Sequence, residues 1–184
     1  SESIEIIEIA DLNGDLNSLL IMLKKMHVID NNGDWEISNS KKKLIILGDI
    51  ISEGSQSLQC FIYLLNLKKQ ANLNSSEVIL IVGNRELLFL CENNFLDHGL
   101  NFADTDIKQD DDVGTKFKQI CKEWNFFRLL INQSILRGEL IFAYADPSIK
   151  LCCCHGGVDK PIKAMFIKNS MLKCKTEYKS DKEL

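Results

Sequence analysis

Apolar residues are concentrated in four short runs along the chain. Each run is rich in Ile, Val, Leu or Cys and is four to seven residues long, and the four cover residues 4–10, 43–47, 78–82 and 151–154. Runs of this length that lack a helical period are typical of strands buried on both faces, as in the parallel sheets of α/β proteins. The pattern therefore predicts four strands in the interior of one sheet.

Between these runs the apolar positions recur with the period of an amphipathic helix. Residues 16, 19, 20, 23 and 26 are apolar, and similar patterns predict helices over 55–69, 86–93 and 116–130. The stretch 135–144 is predicted as a strand or hairpin that leads into the last run, and the acidic stretch 97–115 as a mobile excursion. Strands alternating with helices predict an α/β fold, with a mixed or parallel sheet and right-handed crossovers.

Each apolar run is followed by a residue that could ligate a metal ion. Asp11, Asp49, Asn84 and His155 stand at or just beyond the four predicted strand ends. In open α/β sheets, ligands bind beyond the carboxyl ends of the strands, so we expect these side chains to converge there. Oxygen and imidazole ligands together are typical of hydrolytic metal centres.

Composition narrows the class of protein without defining the chemistry. A chain of 184 residues with 45% hydrophobic residues and a net charge of −4 fits one globular domain and argues against a nucleic-acid-binding surface. The lysine run 41–43 is predicted to be solvated, and no apolar segment is long enough to cross a membrane. No signal peptide is visible and the seven cysteines include no C-x-x-C pair, so we expect buried reduced thiols in an intracellular, cytoplasmic protein.

Two simpler explanations of the strand ends compete with a metal centre. Asp, Asn and Gly after a strand are also ordinary turn residues. The spacing of Asp11, Asn13 and Asp15 also mimics a calcium-binding loop, but that loop requires Gly at its sixth position and Glu at its twelfth. The chain has Leu16 and Met22 there. Four candidate ligands at four successive strand ends favour the metal centre over both explanations.

The segments at these strand ends resemble the ordered motifs of calcineurin-like metallophosphoesterases, and the serine/threonine-phosphatase branch in particular. That family reads Asp-x-His-Gly, Gly-Asp-x-x-Asp-Arg-Gly, Gly-Asn-His-Glu and then His-Gly. The corresponding segments here are residues 11–15, 48–54, 83–86 and 155–157. The resemblance implies a metallophosphoesterase-type α/β sandwich, with central mixed sheets flanked by helices.

The resemblance also implies a set of metal ligands. One metal ion would be bound by Asp11 and by the position that Asn13 occupies. A second would be bound by Asn84, His155 and a later histidine that the chain does not supply, and Asp49 would bridge the two ions. The implied cofactor is one or two divalent metals (Mn, Zn or Fe), or none if the site has decayed. Asp49 and Arg85 occupy the catalytic positions of the family.

Several positions depart from the family pattern in ways that weaken its chemistry. Asn13 replaces a histidine ligand by a neutral amide, and Ser52-Glu53 replaces the Asp-Arg that grips phosphate. Arg85 replaces the histidine that protonates the leaving group, and arginine does not give up its proton at any relevant pH. We expect the Arg85 guanidinium to pair with Asp11, Asp49 or Glu53 instead.

These departures predict a catalytically impaired phosphatase-like protein, a pseudophosphatase that acts as a binding or structural module. The alternative is a divergent metal-dependent phosphatase that hydrolyses phosphomonoesters. Expected partners are a protein and, if the site is active, a phosphorylated substrate, but neither nucleic acid nor membrane. Residues 1–160 are assigned to the domain, and the Lys-rich segment 161–184 is either partner-binding or a truncated remainder of the fold.

Overall fold

A computed structural model describes residues 4–38, 40–52, 54–91 and 113–156 of the chain. Strands and helices alternate through its first half, as the hydrophobic pattern predicts. The strands are β1 (Ile4–Ile9), β2 (Lys41–Ile46), β3 (Glu77–Ile81), β4 (Leu140–Ile141), β5 (Ala143–Asp146) and β6 (Leu151–Cys154). The helices are α1 (Leu16–Lys25), α2 (Ser57–Leu73), α3 (Asn84–Cys91) and α4 (Val113–Leu136).

The strands form two sheets of different kinds. Strands β1 to β4 form a parallel sheet in the order β1-β2-β3-β4, and β5 and β6 form a separate antiparallel pair. Parallel neighbours need crossover connections, which α1 and α2 provide between β1 and β2 and between β2 and β3. The predicted α/β class with helices flanking the sheet is therefore confirmed.

One face of the parallel sheet holds the main hydrophobic core. Alternate strand residues such as Ile7, Leu44 and Leu80 pack there against the helices. The rings of Phe61 on α2 and Phe127 on α4 are fully buried, with centroids 5.9 Å apart. The predicted inward position of Phe127 is thus confirmed, whereas the structure describes only the backbone at the positions 117, 120 and 124 that were also predicted inward.

The opposite face of the sheet is covered by the β5–β6 hairpin. Its apolar cluster is small and contains Ile45, Ile79, Ile81 and Cys153. Lys43 also lies on this face, almost fully buried, with its ammonium close to Tyr144 and Asp146 of β5. The prediction of a solvated lysine run is therefore wrong for two of its three members, since Lys42 is buried too and donates to the carbonyl of His27.

Other sequence predictions fail where long-range pairing decides the outcome. The first run forms an edge strand whose Ile4 and Ile6 are exposed, and the last forms an antiparallel strand instead of an interior parallel one. Helix α4 extends to Leu136, so residues 135 and 136 are helical and the strands begin at Leu140. It begins at Val113, inside the predicted excursion 97–115, and residues 92–112 lie outside the described residues.

The cysteine prediction holds only in part. Cys60, Cys152, Cys153 and Cys154 are all free thiols. Cys60 and Cys153 are buried as expected, but Cys152 is exposed because it lies on the outer side of the hairpin, where side chains alternate with those of the inner side.

Candidate metal centre

The four candidate ligands lie where strands end. Asp11 follows β1 by two residues and Asp49 follows β2 by three, Asn84 is the first residue of α3 just after β3, and His155 directly follows β6. The first three reach the same edge because the carboxyl ends of parallel strands meet there. The hairpin brings the histidine to that edge from the neighbouring layer.

The structure brings these side chains together. One ligand atom each from Asp11, Asp49 and His155 lie within 4.8 Å of one another. The Asn84 amide contacts His155 Nε2 at 2.9 Å, and with its nitrogen facing inward it also donates to the two Asp49 oxygens at 3.3 and 3.2 Å. An amide can turn its oxygen inward instead, so Asn84 can present an oxygen ligand to a cation at the same point.

The tautomer of His155 suits a metal ligand. Its Nδ1 lies 2.7 Å from the carbonyl oxygen of Leu47, and because a carbonyl only accepts, Nδ1 carries the proton. The lone pair is therefore on Nε2, which lies 3.4 Å from Asp49 Oδ1. Metal-binding histidines commonly donate their other ring N–H to a carbonyl in this way, which fixes the ring orientation.

Glu86 holds two of the loops in place, a role that sequence reasoning missed. Its buried carboxylate accepts from the backbone N–H groups of Asp49 (3.1 Å), Ile51 (3.0 Å) and Gly83 (2.6 Å). Burial raises the pKa of Glu86, and the N–H donors of Ile51 and Gly83 oppose that rise. Its position two residues after Asn84 in the third motif was the available signal.

The backbone of the candidate ligands is strained. Asp11, Asn13 and Asp49 have φ of 52°, 51° and 49°, in the left-handed region that non-glycine residues rarely adopt. Such conformations raise the free energy of the fold by about 1–3 kcal/mol each and cluster at functional sites. Three of the six non-glycine residues with left-handed φ in the described part of the chain therefore stand at candidate ligand positions.

Two glycines allow the loops to approach each other. A Cβ on Gly83 would lie 2.2 Å from both the amide nitrogen and Oδ1 of Asp49, and one on Gly48 would lie 2.8 Å from His155 Nδ1. Any side chain at either position would displace a candidate ligand. The glycines thus explain how Asp49 and His155 come so close.

Asn13 and Arg85 lie beside this cluster in different ways. The Asn13 amide nitrogen donates to the backbone carbonyl of Asp11 at 3.1 Å, and its backbone N–H donates to Asp49 O at 2.9 Å. The backbone N–H of Arg85 donates to Asp49 Oδ1 at 3.0 Å, which orients that carboxylate. Arg85 therefore contacts Asp49 through its main chain.

Of the described residues, neither Asp11 nor Asp49 forms the predicted ion pair with the Arg85 guanidinium. Arg85 stands at the head of α3 with a half-exposed side chain, and its contact with Asp49 is made by the main chain. Glu53, the third predicted partner, lies outside the described residues.

Convergence of carboxylates, an amide and an imidazole at one edge of an α/β sheet is typical of metallohydrolase folds. The sequence pattern of the calcineurin-like phosphoesterase family matches residues 4–180, and the chain belongs to this family. The resemblance and the metallophosphoesterase fold predicted from the sequence are thereby confirmed. The match continues beyond residue 160 into the Lys-rich segment.

Individual relatives match only part of the chain. Shewanella-like protein phosphatase 1 of Plasmodium berghei (strain Anka) is 37% identical over 87 residues, 47% of this chain and 24% of that protein. Shewanella-like protein phosphatase 2 of Arabidopsis thaliana is 25% identical over 83 residues, 45% of this chain and 21% of that protein. The matched segments thus span under a quarter of these relatives.

Among solved structures, a cold-active protein-tyrosine phosphatase of a psychrophile Shewanella sp. is similar to this chain. It is 29% identical with a TM-score of 0.44, over 48% of this chain and 26% of its own.

In the described part of this chain, no helix has the length and apolar character needed to cross a membrane.

Proposed function

We propose that this chain is a divalent-metal-binding domain of the calcineurin-like phosphoesterase family with impaired hydrolytic chemistry, a pseudophosphatase that acts as a binding module. The observation that carries the proposal is the convergence of Asp11, Asp49 and His155 within 4.8 Å. The same site has Arg85 where the family pattern has a proton donor.

The residues present fit a metal ion. Asp49, Asn84 and His155 would hold one ion, and Asp11 together with Asp49 would hold a second, more weakly because Asn13 supplies only a neutral amide. When bound, such a metal supplies Lewis-acid activation of a phosphoryl oxygen and a hydroxide nucleophile near neutral pH. The carboxylate-rich set favours Mn²⁺ over softer cations, although zinc and iron share the same ligand types.

The other residues of the site explain the proposed impairment. Arg85 can attract an anionic phosphoryl group but cannot protonate a departing alcohol. Loss of a general acid alone lowers rates by about 10²–10⁴-fold. Glu53, at the place of the family's phosphate-binding arginine, adds repulsion of an anionic substrate.

Metal analysis and hydrolysis assays together test this function. The purified protein should bind Mn²⁺, and Asp49→Ala should abolish that binding, while turnover of an aryl phosphate stays near background with Mn, Zn or Fe supplied. The combined variant Asn13→His, Glu53→Arg, Arg85→His should gain activity if the site has decayed from an active one. Robust turnover by the unmodified chain that Asp49→Ala abolishes would refute the pseudophosphatase.

A second candidate is a divergent phosphatase that hydrolyses phosphomonoesters, and the backbone strain favours it. Left-handed conformations at Asp11, Asn13 and Asp49 lower stability, and such strain at candidate ligands suits a site used for chemistry. Arg85 would then grip the phosphoryl group in place of the missing arginine. The relatives' names support a phosphorylated substrate for that case, whereas the pseudophosphatase would bind a protein partner.

A further inference from the structure

The histidine of the candidate metal centre is carried by a hairpin that does not belong to the parallel sheet. His155 directly follows β6, and β6 hydrogen-bonds only to β5 among the described strands. A lone two-stranded hairpin is marginally stable at best in water. The position of His155 therefore depends on whatever fastens this hairpin to the parallel sheet.

One buried side chain fastens the hairpin from the sheet. The Lys43 ammonium on β2 lies 2.9 Å from Asp146 Oδ2, bonds to the Tyr144 hydroxyl and sits 4.9 Å from the centre of the Tyr144 ring. The carboxylate is itself oriented by Ser148, whose N–H and hydroxyl donate to Asp146 Oδ1 at 3.1 and 2.6 Å. The Asp146 carboxylate is thus held by Lys43 on one oxygen and by Ser148 on the other.

The register of the hairpin connects the Lys43 contact to His155. Tyr144 pairs with Cys153 and Ala143 pairs with Cys154, the residue before His155. Lys43 on β2 and Leu47 just after it stand four residues apart, roughly 13 Å along a strand. The Leu47 carbonyl accepts a hydrogen bond from His155 Nδ1. The hairpin is therefore held near each of its ends, by Lys43 at one and by His155 itself at the other.

Burial makes the contact hard to release. Only 7% of Lys43 is exposed, and Glu77 Oε2 at 3.3 Å is its further partner on the sheet. If the hairpin moved away, the ammonium would lose Asp146 and Tyr144 and keep Glu77, whose side chain is nearly half exposed. The small apolar cluster under the hairpin offers less resistance to such a movement.

From these contacts we infer that Lys43 is a positioning residue for His155: its bonds to Tyr144 and Asp146 set the place of the imidazole and thereby the metal affinity of the site. This inference rests on the metal-binding function proposed above. It gives a role to a buried lysine that is neither a candidate metal ligand nor a member of the apolar core.

The chain supplies a matched control for testing this role. Lys42 is the neighbouring buried lysine of the same strand, but its ammonium binds the carbonyl of His27, after helix α1, and not the hairpin. Lys43→Met and Lys42→Met both remove one buried charge and keep most of the side-chain volume. Only the first should disturb His155.

Calorimetric titration with Mn²⁺ is the first measurement. We expect Lys43→Met to raise the dissociation constant about tenfold, as the loss of outer-sphere support for a metal ligand typically does, and Lys42→Met to change it less than twofold. Lys43→Arg, which can keep the ion pair with Asp146, should restore most of the affinity. Equal effects of the two methionine variants, or an unchanged constant in Lys43→Met, would overturn the inference.

The metal-free protein provides a second readout. In the unmodified chain the His155 Nδ1 proton should give a protected NMR signal because it is bonded to Leu47. Lys43→Met should broaden or remove that signal, and Asp146→Asn should do the same if Lys43→Met does not fold. If the unmodified protein binds no Mn²⁺, the proposed function fails, yet an unchanged imidazole signal in these variants would separately refute the positioning role.

Discussion

The two faces of the parallel sheet are held by different forces. The face toward the helices has an extended apolar core that includes Leu44, Phe61 and Phe127. The face toward the β5–β6 hairpin has a small apolar cluster and the buried ion pair of Lys43 with Asp146, 2.9 Å apart. Hydrophobic burial is non-directional, whereas an ion pair fixes two groups in one geometry.

The division corresponds to two tasks. The helix face provides stability, since apolar burial is the dominant favourable term in folding. The hairpin face places His155 against Asp49, and a ligand must be held in position more than it must be stabilised. Mutations on the two faces should therefore separate stability from metal affinity.

The largest effect on stability is expected on the helix face. Phe61→Ala should lower the free energy of unfolding by about 4 kcal/mol, because it leaves a cavity beside Phe127. Urea denaturation measures this change, and Phe126→Ala, at an exposed position of α4, serves as the control with a change within about 0.5 kcal/mol. A loss for Phe61→Ala as small as that of the control would contradict the assigned core.

Glu86 should affect both the stability of the fold and the geometry of the site. Glu86→Gln should lower the free energy of unfolding by about 3 kcal/mol, because an amide replaces a carboxylate that accepts three backbone N–H groups. It should also weaken Mn²⁺ binding, since Asp49 loses a support. Glu5→Gln on the exposed side of β1 should leave both quantities unchanged. If Glu86→Gln changed the free energy of unfolding and the Mn²⁺ affinity as little as this control, Glu86 would not hold the two loops in place.

The hairpin face should show its own pH dependence. Bonds from Ser148 and Lys43 lower the pKa of Asp146 from 3.8 to about 2. Because the folded pKa is depressed, the contribution is present above about pH 4 and is lost as the pH falls toward 2. After allowance for solvent screening it amounts to about 1–2 kcal/mol.

Asp146→Asn isolates that contribution. The difference in unfolding free energy between the unmodified chain and this variant should shrink between pH 5 and pH 2. A difference that stays constant over this interval would mean that the carboxylate of Asp146 is not held by Lys43 in solution.

The smallest predicted effect concerns backbone strain at the site. Asn13→Gly should raise the free energy of unfolding by up to about 1 kcal/mol, because glycine adopts the observed φ of 51° without strain. Asn17→Gly in helix α1 should instead lower the free energy of unfolding by roughly a few tenths of a kcal/mol. Thermal denaturation distinguishes the two signs, and destabilisation by Asn13→Gly would argue against strain at the site.

Local sequence patterns were sufficient to predict the helix face and the site edge. The apolar runs identify β2 and β3, and the polar residues after them identify Asp49 and Asn84. Patterns of this kind report which side chains avoid water but not which strand pairs with which. The first and last runs were therefore predicted as interior parallel strands, although they form an edge strand and half of a hairpin.

Long-range partners account for the remaining misses. The burial of Lys43 depends on Asp146, more than a hundred residues later, and no local window contains both. The same holds for Glu86, whose acceptance of the Asp49 and Ile51 N–H groups follows only from the meeting of two loops. Charged residues are predicted to be exposed unless such partners are known.

Mn²⁺ binding, measured by calorimetry on the unmodified chain and on His155→Ala, tests the central claim most directly. The account predicts at least one Mn²⁺ per chain for the unmodified protein, and loss of that binding in His155→Ala with the fold retained. Absence of binding in the unmodified protein, or equal binding in the variant, would contradict it.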